Sequence, residues 1–214
     1  MTTIYLIRHS VRFDNKLITK YNTSQSELIK SEKNILSIEG EERARLLSED
    51  PELDNIDYVY VSNCVRTLGT AKYLMSKQRL DCILDERLDE RRVGIPNSSS
   101  ISDWFSRQFK DPDFKTEGGE SQRDVVKRVN EVIDDILENK KEKRIAIFAH
   151  GYAILFYLLQ YCKLVSIDEE RNIHLTYKGK DILNGQINAP EVFKLTFNNQ
   201  KISSIERIVI PSLI

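Results

Sequence analysis

Cysteine is scarce in this 214-residue chain, and its three copies, Cys64, Cys82 and Cys162, are odd in number and lack CxxC spacing. Neither a disulfide framework nor a zinc knuckle is suggested, and buried structural thiols are expected. Long apolar runs are also missing. No stretch reaches the ~18 to 20 residues of a membrane-spanning helix. MTTIYLIRHS enters a strand pattern too early for a signal peptide, so no membrane association and cytoplasmic residence are expected. Charge of one sign is absent as well: 32 Lys+Arg face 33 Asp+Glu, a formal net charge of -1. No global field therefore recruits nucleic acid, and any anion site must be local. There is no HExxH, no paired-aspartate cluster and no glycine-rich GKS or GKT segment after a strand, so no metal site and no P-loop are expected. Cys64 is followed too soon by Arg66 for a CxxxxxR loop. Without an internal repeat, low-complexity linker or composition break, one domain over 1–214 is the expectation.

What is present is ordinary globular material, 40% hydrophobic and 30% charged, enough to bury a substantial core. Ile4 to Ile7, Tyr58 to Val61 and Ile145 to Ala149 are near-continuous apolar runs, as central strands covered on both faces require, and Ile83-Leu84 is a shorter one. Between them lie helical patterns at Glu39 to Ser48, Cys64 to Met75 and Ser121 to Glu138. The last carries Val125, Val129, Val132, Ile133, Ile136 and Leu137 on one face behind a capping box, Ser121-x-x-Asp124. A further apolar helix follows at Ala153 to Tyr161. Val192 to Phe197 and Ile202 to Ile210 flank the turn signal Asn198-Asn199-Gln200. Strands alternating with helices imply an α/β fold with a mostly parallel sheet. Gly94 to Gly119 is the loosest stretch and is expected to form a lid-like excursion, with a short helix around Trp104-Phe105. Its aromatics, Trp104, Phe105, Phe109 and Phe114, are expected to make a small core that anchors it.

Ligands of open α/β sheets bind beyond the carboxyl ends of the strands, so residues there come first. His9 and His150 each follow a strand, and Arg66 follows a third, one turn into a helix; the third histidine, His174, lies in a polar stretch and is expected to be structural or at the surface. Arg8 and Arg66 offer planar forks suited to phosphate oxygens. A histidine attacks phosphorus only through a neutral ring nitrogen, which requires the other nitrogen to be held protonated, for example by a backbone carbonyl in the Arg8-His9-Ser10 turn. The leaving alkoxide then needs a proton, for which Glu90 is the candidate.

At this point the residues resemble a family. IYLIRHSVRFDN is similar to the RHG strand and loop of the histidine phosphatase superfamily, the phosphoglycerate mutase-like proteins. LSIEGEERARLL resembles its LTxxG helix entry, VSNCVRTLGTA its SxxxRAxQTA segment with Arg66 on the motif arginine, and LDERRVG its LxExxxG segment with Glu90 on the proton donor. GGESQRDVVKRV resembles the GGES helix start, and FAHGYAI the second histidine motif, with His150 and Gly151. The resemblance implies a three-layer α/β/α sandwich, a phosphohistidine at His9 and no cofactor. It places Asn15 on a phosphate-contacting asparagine and makes Arg12 a further phosphate cation of the RHxxR type; Arg91 is a further substrate-binding candidate, and in the mutase-type alternative Arg91 and Arg92 contact a carboxylate-bearing substrate. Ser10 stands where the family has glycine, and the turn is expected to survive this small side chain. Thr67 and Gly69 replace alanine and glutamine on a helix face, where altered packing is expected. Glu86 is a rival to Glu90 that fits the motif spacing less well.

The expected activity is hydrolysis of small-molecule or protein phosphomonoesters. Phosphoglycerate mutase-type transfer and a phosphate-binding module without turnover are the alternatives.

Overall fold

The computed structural model describes residues 1–13, 32–94 and 104–213. In chain order its first half contains β1 (Thr2–Arg8), α1 (Ile38–Glu49), β2 (Tyr58–Val61), α2 (Val65–Gln78), β3 (Cys82–Leu84) and α3 (Trp104–Lys110). The second half contains α4 (Gln122–Asn139), β4 (Arg144–Ala149), α5 (Gly151–Leu158), β5 (Lys163–Ile167), β6 (Ile173–Tyr177), β7 (Lys180–Gly185), β8 (Glu191–Asn198) and β9 (Lys201–Ile208).

Six strands form the main sheet in the order β3-β2-β4-β1-β8-β9. The first four are mutually parallel, and β8 and β9 add an antiparallel hairpin at one edge. The unbroken apolar run of β1 has a direct cause. Ile4 and Leu6 point into a core shared with Val125, Val129, Val132 and Ile136 of α4 and with most of α5. Tyr5 and Ile7 point into the opposite core, with Leu47 of α1 and Ala71 and Leu74 of α2. Both faces of the strand are covered, so alternation disappears. The result is the α/β/α sandwich.

Local chemistry sets the helix ends. Ser121 and Asp124 form the reciprocal capping box at the start of α4. The six buried aliphatic side chains of α4, at roughly 1.5 to 3 kcal/mol each, dock it onto the sheet. At the start of α1, the Ser37 hydroxyl accepts from the Gly40 amide at 3.0 Å. A Cβ on Gly40 would stand 1.9 Å from the Val11 carbonyl oxygen, so only glycine lets α1 press against the segment that follows β1. Asn199 and Gln200, both at positive φ, make the two-residue turn between β8 and β9.

One element has no counterpart in the sequence reading: β5, β6 and β7 form a separate antiparallel three-stranded sheet. Its strands are half exposed and bulged at Leu164/Ser166 and Leu175/Thr176; β5 shows no alternation, while β6 does alternate, with Ile173 and Leu175 buried between His174 and Thr176, over a stretch too short to stand out. No helix among the described residues is long and apolar enough to cross a membrane.

Candidate active site

β2, β4 and β1 end side by side, with Val61 paired to Phe148 and Arg8 to Ala149. The ladder runs one residue further: the His9 amide donates to Ala149 O at 3.0 Å and the Ser62 amide to Phe148 O at 3.1 Å. His9, His150 and Ser62 therefore leave the sheet at one edge. The two imidazoles meet edge to face, their centroids 5.2 Å apart.

The His9 Nδ1 lies 2.7 Å from the Ser10 carbonyl oxygen. A carbonyl only accepts, so Nδ1 carries the proton and Nε2 keeps its lone pair. Ser10 is fully buried; its amide donates to Thr70 Oγ1 at 2.9 Å, and that hydroxyl donates to Arg66 O at 2.8 Å. The turn is thus pinned to α2 with serine in the glycine position. Burial first, and then the Arg66, Arg8 and Arg12 charges, push His9 down to about 3 against the favourable Ser10 bond, so the imidazole is neutral.

His150, with no exposed surface, has a tautomer that its neighbours dictate. Arg66 Nη2 lies 3.0 Å from Nδ1, and a guanidinium only donates, so Nδ1 is the acceptor. Nε2 then carries hydrogen and donates to Ser62 Oγ at 2.8 Å. Thr67 Oγ1 donates to Cys64 O at 2.6 Å, which leaves the Ser62 hydroxyl to donate to Thr67 Oγ1 at 2.8 Å. One directed chain of hydrogen bonds results. Burial and then the Arg66 charge hold His150 well below its ordinary value. Thr67, expected only to alter packing, is a link in this chain, and Ser62, which sequence reasoning missed, is another. Its signal was available: a hydroxyl directly after a strand, four residues ahead of the motif arginine. Gly69 does match the packing expectation, since a Cβ there would meet Leu36 at 3.2 Å.

Arg8 closes the other side. Its Nη1 donates to Ile187 O at 2.6 Å and Asn188 O at 3.1 Å, whereas its buried Nε has no hydrogen-bond partner among the described residues. A Cβ on Gly151 would lie 3.4 Å from that Nε, so the glycine keeps the guanidinium's flank open. Glu90 sits on the N-terminal turn of α5, where Oε1 accepts from Ala153 at 3.2 Å and Oε2 from Tyr152 at 3.4 Å. The Arg91 amide also donates to Oε1 at 2.9 Å. The preceding loop is held by Arg128, which donates to Arg87 O and Asp89 O and grips the Glu120 carboxylate with two nitrogens. Glu86, the rival, is exposed.

Other expected site residues are placed differently. Arg12 is exposed, its backbone bridged to Leu36, with its charge felt at His9 and Arg8. Asn15 lies outside the described residues. Arg91 is buried, donates from Nε to Glu120 O at 2.8 Å and stacks 6.0 Å over Phe156. These contacts tie it into the core, and it does not line the cleft. His174 pairs with Asp181 at 2.7 Å on the second sheet.

Cysteine chemistry gains no footing here. All three thiols are free; Cys64 and Cys162 are buried, while Cys82, expected to be buried, is only partly so at the edge strand. Burial pushes the Cys64 thiol up, away from the reactive thiolate. Cys64, Asp89 and His150 offer ligand-type atoms within 4.8 Å of one another. Both His150 nitrogens are already engaged, one of them by a guanidinium whose charge opposes a cation.

Beyond Arg8 and Glu90 a cleft of about 160 Å³ opens, walled by Phe105 and Phe109 of α3, Tyr152 and Leu155 of α5, and Arg171, Ile173, Gln186 and Ile187 around the second sheet. Phe105 and Phe109 pack with Tyr152, as the expected anchoring core, and also face this space. Phe114 stacks instead under Arg107.

A phosphoserine phosphatase 1 of Hydrogenobacter thermophilus is 23% identical over 141 residues, 62% of this chain and 65% of that protein, so the match spans just under two thirds of that relative. A probable phosphoglycerate mutase GpmB of an Enterobacter species is 26% identical over 162 residues, 72% of each chain. Among solved structures, a mycobacterial glucosyl-3-phosphoglycerate phosphatase bound to inorganic phosphate superposes with a TM-score of 0.66 at 16% identity, covering 97% of this chain and 95% of the other. An Entamoeba histolytica phosphoserine phosphatase mutant bound to phosphoserine gives 0.66 at 16% identity over 100% of both chains. At such identities these structures establish the fold alone. The decisive match is to a family: residues 4–195 match the histidine phosphatase superfamily (branch 1). The chain belongs to that superfamily.

Proposed function

We propose that the chain is a metal-independent phosphatase that hydrolyses phosphomonoesters through a phosphohistidine at His9. The observation that carries this reading is the 2.7 Å contact of His9 Nδ1 with the Ser10 carbonyl, which leaves Nε2 as a neutral nucleophile. Arg8 and Arg66 neutralise the equatorial oxygens of the phosphoryl group, with Arg12 adding charge at the rim and Gly151 leaving room beside Arg8. As phosphate enters, Arg66 exchanges its bond to His150 Nδ1 for phosphate oxygen, and His150, beside a dianion, becomes able to take up a proton and donate. Nε2 of His9 bonds to phosphorus and the ester P–O bond breaks, while Glu90, which takes up a proton as the phosphate dianion binds beside it, passes that proton to the leaving oxygen. Water then attacks the phosphohistidine, Glu90 takes back a proton, and the P–N bond breaks to release inorganic phosphate and restore Nε2.

A small phosphomonoester suits the cleft of about 160 Å³. The aromatic and aliphatic side chains on one side of it, Phe105, Phe109, Leu155, Ile173 and Ile187, suit a leaving group with an apolar body better than the compact polyanion of a mutase reaction. The test is turnover of p-nitrophenyl phosphate in EDTA. Wild type is expected to be active and His9→Ala inactive; equal rates would refute the nucleophile.

A further inference from the structure

The cleft beyond Glu90 has two unlike parts. Phe105, Phe109, Tyr152, Leu155, Ile173 and Ile187 form an apolar wall, and at its outer end stands one cation, Arg171, its guanidinium 5.7 Å over the Phe105 ring. The Arg171 guanidinium makes no hydrogen bond or ion pair with any described residue, although its backbone closes a turn, its amide donating to Asp168 O at 3.3 Å, that is fastened from several sides. Asp168 closes the turn by accepting the Asn172 amide at 3.0 Å and the Asn172 side chain at 2.9 Å. Glu169 reaches across to α3 and accepts the Phe105 and Ser106 amides at 3.2 and 2.9 Å. Gln186 donates to Glu170 O at 2.9 Å from the opposite side. A solvated surface arginine needs none of this. The turn that carries the cation is clamped to the helix that forms the apolar wall, so ring and charge are presented as a unit.

We infer that Arg171, stacked on Phe105, is a specificity-determining residue that selects phosphomonoesters whose leaving group is apolar and ends in an anion, such as a carboxylate. The inference rests on the phosphatase reading and specifies its substrate class. Arg8, His9 and Arg66 hold the phosphoryl end, Glu90 stands at the scissile oxygen, and the apolar wall covers the body of the leaving group. Arg171 meets its far end with a guanidinium that forms no ion pair among the described residues, the neighbouring Asp168 and Glu169 carboxylates being taken up by the Asn172, Phe105 and Ser106 amides. Tyr152 lines the cleft together with Arg8 and Arg171. A partly exposed ion pair of this kind contributes about fivefold to discrimination.

The test uses two aryl phosphates with matched phenols, the phosphate esters of phloretic acid and of its amide, in which two methylenes insulate the phenol from the carboxylate or amide. Wild type is expected to favour the acid about fivefold in kcat/KM, through KM rather than kcat. Arg171→Ala is expected to abolish the preference and Arg171→Glu to reverse it. Phe105→Leu, which removes the ring beneath the guanidinium, should reduce it, and Lys178→Ala, another exposed cation of the second sheet, should leave it intact. Equal use of both esters by wild type, or an unchanged preference in Arg171→Ala, overturns the inference while leaving the phosphatase reading standing. If neither ester is turned over, the phosphatase reading fails separately. Calorimetry with the corresponding difluoromethylphosphonates then still decides the subsite: tighter binding of the acid in wild type but not in Arg171→Ala supports it, and equal binding removes it.

Discussion

Ser62→Ala deletes one oxygen and sets the His150 tautomer against its surroundings. In the native arrangement the Nε2 proton goes to Ser62 Oγ at 2.8 Å while Nδ1 accepts from Arg66 at 3.0 Å. Without the hydroxyl two states remain. In one, Nε2–H stays buried and unpaired, which costs about 1 to 3 kcal/mol. In the other, the proton moves to Nδ1 and faces the Arg66 N–H donor, so the Arg66–His150 bond that orients the guanidinium in the free protein is lost. Both are unfavourable because His150 has no exposed surface through which water could repair the loss. The native protein should therefore lose about 1 to 3 kcal/mol in urea unfolding. Hydrolysis of p-nitrophenyl phosphate should fall about tenfold in kcat/KM, since about 1.4 kcal/mol corresponds to a factor of ten. Thr67→Val, one bond further from the imidazole, should cost less. Nitrogen NMR of His150 reads the tautomer directly. A Ser62→Ala protein with stability within about 0.5 kcal/mol of wild type, as for a bland surface change, and with unaltered turnover would refute the directed hydrogen-bond chain.

Glu90→Gln should separate substrates by leaving group: p-nitrophenolate departs without help, whereas an alkyl phosphate should lose about 100-fold or more in kcat, and equal losses on both would remove Glu90 as the proton donor. Stability should fall on acidification before ordinary carboxylates titrate. His9 and His150 have folded values below the unfolded 6.5, so the unfolded state binds more protons once pH drops below that value, and stability is lost progressively downward until the folded His9 value near 3. Between about pH 7 and about pH 5.5 each histidine should contribute a loss of about 1 kcal/mol in urea unfolding, and His9→Ala should abolish its share; a flat profile would mean that the imidazoles are not held neutral.

The strand ends were legible in the sequence because burial on both faces turns β1, β2 and β4 into unbroken apolar runs, and a polar residue after such a run has few places to go. His9, His150 and Arg66 were found that way. Capping chemistry at Ser121 and Asp124 was equally local. Ser62 escaped because a single hydroxyl carries no periodicity, and its role exists only once two strands are adjacent. Thr67 escaped because its helical position suggests packing, while its hydroxyl acts through a turn closed by Cys64. Arg91 was drawn toward the substrate by its place next to Glu90, but its neighbour in space is Phe156. The second sheet escaped for a physical reason: its strands are short and half exposed, β5 has no two-residue rhythm at all, and the rhythm of β6 spans only Ile173 to Tyr177. With it went Arg171, whose pairing with Phe105 joins residues 66 positions apart in sequence.

In the proposed mechanism His9 Nε2 forms a bond to phosphorus while Nδ1 stays bound to the Ser10 carbonyl. The most direct measurement is an alkaline quench of the enzyme during turnover of an aryl phosphate, followed by mass spectrometry of the His9 peptide and phosphorus NMR to distinguish the two ring positions. The expected result is a single phosphoryl group on His9, attached at Nε2 and absent from His9→Ala. Phosphate found on Nδ1, found on His150, or never found during sustained turnover would contradict it.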